Sequence, residues 1–169
     1  MMIKITNPDD LDVNKLMSIY VEGNFENTDY FYPEITDKTE AVKKVEHDFC
    51  NYIKTEFLNG ENVYYVWEND GVWVSALRLY CIEENFYYLE ALETAPDFRK
   101  KGYATLLLTS VINELKLKGH FKICVCVGRN NIASLNTHKK CGFKIVSENG
   151  FDYLQKETDD RCYGLEYSF

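Results

Sequence analysis

Proline and glycine are scarce: three and nine among 169 residues, too few for a linker-rich or collagenous chain. There is no low-complexity tract and no repeat at solenoid spacing, so residues 1–169 read as one domain long enough to bury a sizeable core. No apolar run approaches membrane-spanning length, and Met1-Met2-Ile3-Lys4-Ile5-Thr6-Asn7 lacks the apolar centre of a signal peptide. The expectation is a cytoplasmic protein without a membrane partner. Positive charge is also short, with 19 Lys and Arg against 27 Asp and Glu for a net −8, which weighs against a nucleic-acid partner and suits a cationic substrate better. The six cysteines, at 50, 81, 124, 126, 141 and 162, show neither Cys-x-x-Cys nor Cys/His spacing, so no metal is expected. They read as reduced thiols packed as small hydrophobes. Cys141 keeps a catalytic alternative open, with His138 one helical turn back as the group that would have to activate it.

Aromatic residues are abundant: thirteen Tyr and ten Phe lift the aromatic share to 15%, enough to expect that some rings line a pocket. Asp9 or Asp10 is placed to cap a first helix running to about Tyr20. Gly23 to Pro33 is aromatic and acidic without a basic residue, and reads as a purposeful loop. A second helix is expected from Lys38 to Leu58, stopped by Asn59-Gly60. Two apolar and aromatic runs, 63–68 and 72–80, flank Asn69-Asp70-Gly71 as a hairpin, and 86–94 follows as a third strand. Phe121 to Val127 reads as a fully buried strand, Ile132 to Lys140 as a short helix, and 143–147 and 162–169 as strands that complete the sheet.

The most informative stretch is Arg99-Lys100-Lys101-Gly102-Tyr103-Ala104. Pro96 closes the strand before it. After it, Ala104, Leu107, Leu108, Val111, Ile112 and Leu115 recur at helical steps, so a core-packed helix starts near Gly102. The first turn of such a helix offers unpaired N–H groups and the positive end of the dipole, and both favour an anion. Gly102 lets a phosphate approach the backbone, Ala104 keeps the next turn small, and the three basic residues add charge.

At these residues the chain resembles the GNAT superfamily of N-acetyltransferases, whose loop reads Arg/Gln-x-x-Gly-x-Gly/Ala after a strand ending Leu-x-Val-x-Pro. Here that strand ends Leu92-Glu93-Thr94-Ala95-Pro96. A second signature, Asn-x-x-Ala-x-x-x-Tyr-x-Lys-x-Gly-Phe, is approximated from Asn131 to Phe143, with Ser134 for Ala and His138 for Tyr. The resemblance implies an α/β (α+β) fold: a mixed, mostly antiparallel central sheet of six to seven strands flanked by about four helices. It implies transfer of the acetyl group of acetyl-CoA to a primary amine by direct attack.

The resemblance further implies that the backbone of Leu92, Glu93 and Thr94 holds the pantetheine and acetyl carbonyl. Arg99, Lys100, Lys101, Gly102, Tyr103, Ala104 and Thr105 would hold the pyrophosphate, with Asn131 and Ser134 beside the pantetheine arm. For Asn131, capping of the short helix is the alternative. Period-two alternation places Tyr88, Glu90, Leu92 and Thr94 on one face of their strand. Glu90 is then the candidate base, its alternative being a Glu satisfied by an Arg or Tyr. His138 would replace the Tyr that protonates the departing sulfur, or would merely pack beside it. Glu22, Asn24, Phe25 and Tyr30 are the candidate acceptor-binding residues, suited to a small cationic amine. Two other readings stay open: a CoA-binding regulator or sensor without turnover, and an acyltransferase using a different acyl-CoA. A homodimer through C-terminal edge strands is a further possibility.

Overall fold

Asp70 and Gly71 both lie in the left-handed region, with φ of 51° and 79°, and make the two-residue turn whose twist suits a hairpin. That turn joins β2 (Val63–Asn69) to β3 (Val72–Glu83) in a computed structural model describing residues 1–169. β4 (Phe86–Thr94) returns antiparallel to β3, α5 (Tyr103–Lys116) crosses over, and β5 (Lys122–Gly128) lies parallel to β4. After α6 (Ile132–Lys140), β6 (Lys144–Ser147) forms the sheet edge, and β9 (Cys162–Ser168) inserts antiparallel between β5 and β6. With β1 (Met2–Ile5), the seven strands run in the order β1-β2-β3-β4-β5-β9-β6, with β4–β5 as the one parallel neighbour pair.

Each face of the sheet carries its own core. On one face Ile5, Leu16, Ile19, Ile53, Phe57 and Tyr64 are buried under α1 (Val13–Ile19) and α4 (Lys38–Tyr52). On the other, Leu77, Leu79 and Leu89 meet Leu107, Leu108 and Val111 of α5, the apolar stripe evident in the sequence. This is the mixed, mostly antiparallel fold that the resemblance implies. No helix is long and apolar enough to cross a membrane.

Four local expectations are corrected. β1 (Met2–Ile5) is a strand paired antiparallel with β2, where the sequence reading had none; with four residues it is too short for alternation to show. The first helix is capped by Asp12, which accepts from the Lys15 N–H at 3.1 Å, because Pro8–Asp10 forms a separate 3₁₀ turn under Asn7. The segment read as a loop forms two short helices, α2 (Val21–Glu26) and α3 (Thr28–Phe31). Their pattern is inverted: polar Asn24 and Thr28 are buried while Phe25, Tyr30 and Phe31 are exposed, so the apolar stripe that marks a helix is missing. Finally, α4 ends at Tyr52 and continues as one π turn, Ile53–Phe57, closed by Leu58 N–H to the Ile53 carbonyl at 3.0 Å. A small hairpin, β7 (Gly150–Asp152) with β8 (Glu157–Asp159), lies beside the main sheet.

Candidate functional site

The site begins with an irregularity in β4. Ala91 has a φ of 51°, rare for a residue with a Cβ, and the β3–β4 register jumps there from Arg78↔Glu90 to Ala76↔Glu93. The bulge reverses side-chain parity. Glu90 and Glu93 oppose Arg78 and Ala76 on the α1/α4 face, whereas Leu92 joins Leu89 in the core under α5 and Thr94 opposes Ser75. The expectation that Glu90, Leu92 and Thr94 share a face is therefore wrong, because one extra residue shifts a period of two by half a cycle. Beyond Tyr88↔Cys124, β4 and β5 no longer pair, so the sheet splays open from Leu89 onward.

Two cavities meet in that opening. A groove of about 430 Å³ runs over the α5 N-terminus and is lined by Leu92, Glu93, Thr94, Arg99, Lys100, Gly102, Tyr103, Ala104, Thr105, Asn131 and Ser134. All the residues expected at the cofactor are thereby brought together except Lys101, whose ammonium lies 5.0 Å from the Phe98 ring. Gly102 caps α5 with a φ of 87°, and a Cβ built there would have nothing within 4 Å, so the backbone is bare toward the groove. Arg99 is not free. It pairs with Glu22 at 2.5 Å and Glu93 at 3.1 Å, and its Nε donates to the Thr94 carbonyl at 3.1 Å. The hydrogen bond to Glu22, foremost, holds the Arg99 pKa above its usual value. Asn131 caps α6 by accepting from the Ser134 N–H at 3.0 Å, which leaves its amide nitrogen for the groove.

The second cavity, about 970 Å³, is bounded by Tyr88, Glu90, Ala91, β5, His138 and the β7–β8 hairpin, and it shares Leu92, Asn131 and Ser134 with the groove. Its hairpin wall is acidic, with Asp152, Glu157, Asp159 and Asp160 against Arg161. Hydrogen bonds from Arg161 hold the Asp159 carboxyl at about 2, so it stays ionised. Glu90 pairs with Arg78 at 3.2 Å. Burial raises the Glu90 pKa above the usual carboxylate value; Arg78 opposes that rise and Asp152 adds to it.

His138 is 1% exposed. Its Nδ1 lies 2.8 Å from the Ser134 carbonyl, which can only accept, so Nδ1 carries the proton. Nε2 is buried without a partner, and the ring meets Phe143 edge-on at 5.2 Å. Burial lowers the His138 pKa. In its neutral form Nε2 is thus a proton acceptor, not the ready donor expected from the sequence. The cysteine alternative loses its basis: burial raises the Cys141 thiol, and the imidazole nitrogens do not bond to it. All six cysteines are free, and no group of three or more His, Cys, Asp or Glu is placed to hold a metal.

Of the expected acceptor residues, only Tyr30 borders the large cavity. Glu22 is engaged with Arg99, Phe25 lies 53% exposed with the Lys38 ammonium 5.9 Å from its ring, and Asn24 lines a third cavity beneath α2–α4. The helical turn of α2 sends these three side chains in different directions, which a loop reading could not anticipate. Sequence reasoning missed Arg78 and the hairpin acids. A lone Arg within the apolar run 72–80 was the available signal for Arg78; strands of three residues offered none for the hairpin.

A bulged strand splayed from its parallel neighbour, beside a groove over an uncapped helix start, defines an acyltransferase fold of the GNAT class. The profile of the acetyltransferase (GNAT) family matches residues 19–143, and the chain belongs to that family. GCN5-related N-acetyltransferase 6, chloroplastic, of Arabidopsis thaliana is 32% identical over 81 residues, 48% of this chain but only 27% of the relative, so the match spans about a quarter of that protein's length. The PaiA N-acetyltransferase of Thermoplasma acidophilum, solved with coenzyme A, superposes over 100% of this chain and 99% of its own with a TM-score of 0.65 at 18% identity. A GNAT family acetyltransferase of Elizabethkingia anophelis with acetyl-CoA bound covers 68% of this chain and 80% of its own, with a TM-score of 0.56 at 17% identity. At such identities the likeness speaks for the fold.

Proposed function

We propose that this chain transfers the acetyl group of acetyl-CoA to a primary amine by direct attack in a ternary complex. The observation that carries the reading is the meeting of the groove over the α5 N-terminus and the acidic cavity at Leu92, Asn131 and Ser134, where β4 and β5 part. Coenzyme A in the Thermoplasma protein and acetyl-CoA in the Elizabethkingia protein support the cosubstrate.

The residues present fit that group. The N–H groups of the first α5 turn face a groove kept open by Gly102, and from Leu89 to Thr94 the side of β4 that faces β5 is unpaired. The first holds the pyrophosphate, the second and the Asn131 amide hold the pantetheine. Bound there, acetyl-CoA supplies an acyl group activated as a thioester. Glu90, with its raised pKa, takes a proton from the incoming amine. His138 keeps a role at the sulfur only as a relay, taking a proton at Nε2 and passing it on, since Nε2 starts without one.

The test is purified protein with acetyl-CoA and a panel of primary amines, following free thiol release and the acetylated product. Amine-dependent release is the expected result. His138→Ala is expected to lower kcat by about 100-fold while leaving acetyl-CoA affinity within about twofold, because the ring acts on a proton and lies beyond the phosphate loop. Tight acetyl-CoA binding with no turnover on any amine would instead establish the regulatory reading, and turnover with a longer acyl-CoA alone would establish the other-acyl reading.

A further inference from the structure

Beneath α2–α4, on the same sheet face as Glu90, lies a cavity of about 480 Å³ that the transfer chemistry above does not use. Phe31, Val45, Phe49 and Tyr52 wall most of it, Asn27 and the Asp48 carboxylate, which accepts from the Tyr32 hydroxyl, form its polar margin, and Arg78 and Ala91 form the part shared with the acidic cavity. An Arg in a central strand is costly unless its donors are met. The hydrogen bond that Arg78 makes is from Nη2 to Glu90 at 3.2 Å, while Nε is buried with no acceptor. The neighbouring phenols are committed elsewhere: Tyr20 donates to the Ala91 carbonyl at 2.8 Å, Tyr64 to Tyr20 at 2.7 Å, and Tyr52 and Tyr80 bond each other at 2.8 Å. The guanidinium carbon sits 5.5 Å from the Phe49 ring centre and 5.7 Å from that of Tyr52, so its planar fork is fixed by two rings. Asn24, also in this cavity, gives its amide to the Met17 thioether at 3.5 Å, a weak acceptor that a carboxylate would displace.

A fixed, under-satisfied guanidinium beside a carboxylate that receives an amine is a site for opposite charges on neighbouring atoms. We propose that the acceptor is an α-amino acid with a large apolar side chain, its carboxylate on Arg78, its amine beside Glu90 and its side chain in the 480 Å³ cavity. The proposal rests on the acetyltransferase reading. In the transfer the acetyl C–S bond breaks and an N–C bond forms. The amine's proton passes to Glu90 and from there to solvent, the sulfur leaves as thiolate and takes a proton from solvent, and the products are an N-acetyl amino acid and CoA.

Matched pairs test this: L-phenylalanine against phenethylamine and L-leucine against isopentylamine, each with the wild-type protein and Arg78→Lys, alongside acetyl-CoA calorimetry and thermal melting. The amino acids are expected to exceed their decarboxylated partners in kcat/KM by at least about tenfold, and Arg78→Lys to shrink that ratio by about tenfold, since a lysine ammonium cannot reproduce the fork. Equal efficiencies within a pair, or a ratio unmoved in a folded variant, would overturn the proposal. If the variant does not fold, the wild-type pairs decide alone. Acetylation of amines but not amino acids overturns the carboxylate assignment and leaves the transferase reading standing. Failure to bind acetyl-CoA, or binding without acetylation of any amine, overturns both.

Discussion

Gly102→Glu is expected to weaken acetyl-CoA binding by at least about 100-fold, measured by calorimetry on the folded protein. Two effects combine. Gly102 sits at a φ of 87°, where any Cβ is strained, and a left-handed residue costs about 1–2 kcal/mol. More important, a Cβ there points into open space over the groove, so the new carboxylate lies at the proposed pyrophosphate position. Like charges about 4 Å apart at a protein surface repel by about 4 kcal/mol before salt screening, and half of that alone is a factor of about 30. Gly102→Ala separates the two contributions: it carries the strain without the charge, and its loss should stay within about tenfold. An affinity unmoved by the carboxylate would remove the phosphate from this loop. Because Arg99 is bonded to Glu22, Glu93 and the Thr94 carbonyl, the proposed phosphate site rests on backbone N–H groups more than on this arginine. Arg99→Ala should accordingly cost less than Gly102→Glu in the same titration.

The legibility of these features in the sequence follows the range of the interactions that make them. The α5 stripe, the Asp70-Gly71 turn and the loop before α5 depend on neighbours a few residues apart, and each stands where its pattern places it. The strand containing Glu90 was equally evident, but its facing was not. The Ala91 bulge has no local marker, since alanine ordinarily avoids a φ of 51°, and the bulge is maintained across the sheet by the β3 register and by Tyr20, whose hydroxyl donates to the Ala91 carbonyl. The Glu90–Arg78 pair likewise joins residues on adjacent strands. Helices α2 and α3 leave no helical pattern in the sequence because their buried positions, Asn24 and Thr28, are polar and their outward positions aromatic. His138 was visible as a departure from a Tyr-containing motif. The identity of its protonated nitrogen was not, because that is fixed by the Ser134 carbonyl one turn back.

Glu90→Gln is expected to lower kcat by about 100- to 10,000-fold, with acetyl-CoA affinity little changed, because the amide retains the shape but accepts no proton. The pH dependence carries the sign. Burial raises the Glu90 pKa, and a base works only when deprotonated, so activity should fall as pH drops through a value raised from that of an ordinary glutamate. The amine must also be neutral, which adds a second rise at higher pH in the same direction. The variant resolves them: the lower limb should vanish in Glu90→Gln while the amine's limb remains. The ion pair with Arg78 opposes the burial effect, so weakening it in Arg78→Lys should move the lower limb upward. A purely structural Glu90 predicts the reverse set of results, a lower melting temperature with the pH profile intact. Stability follows the same sign: a carboxyl whose folded pKa is raised favours the folded state when protonated, and the ionised form destabilises it as pH rises through that pKa. Glu90 is therefore held in the site against a stability cost, and Glu90→Gln, which removes the buried charge but keeps an acceptor for Arg78, should lose activity far more than it loses stability.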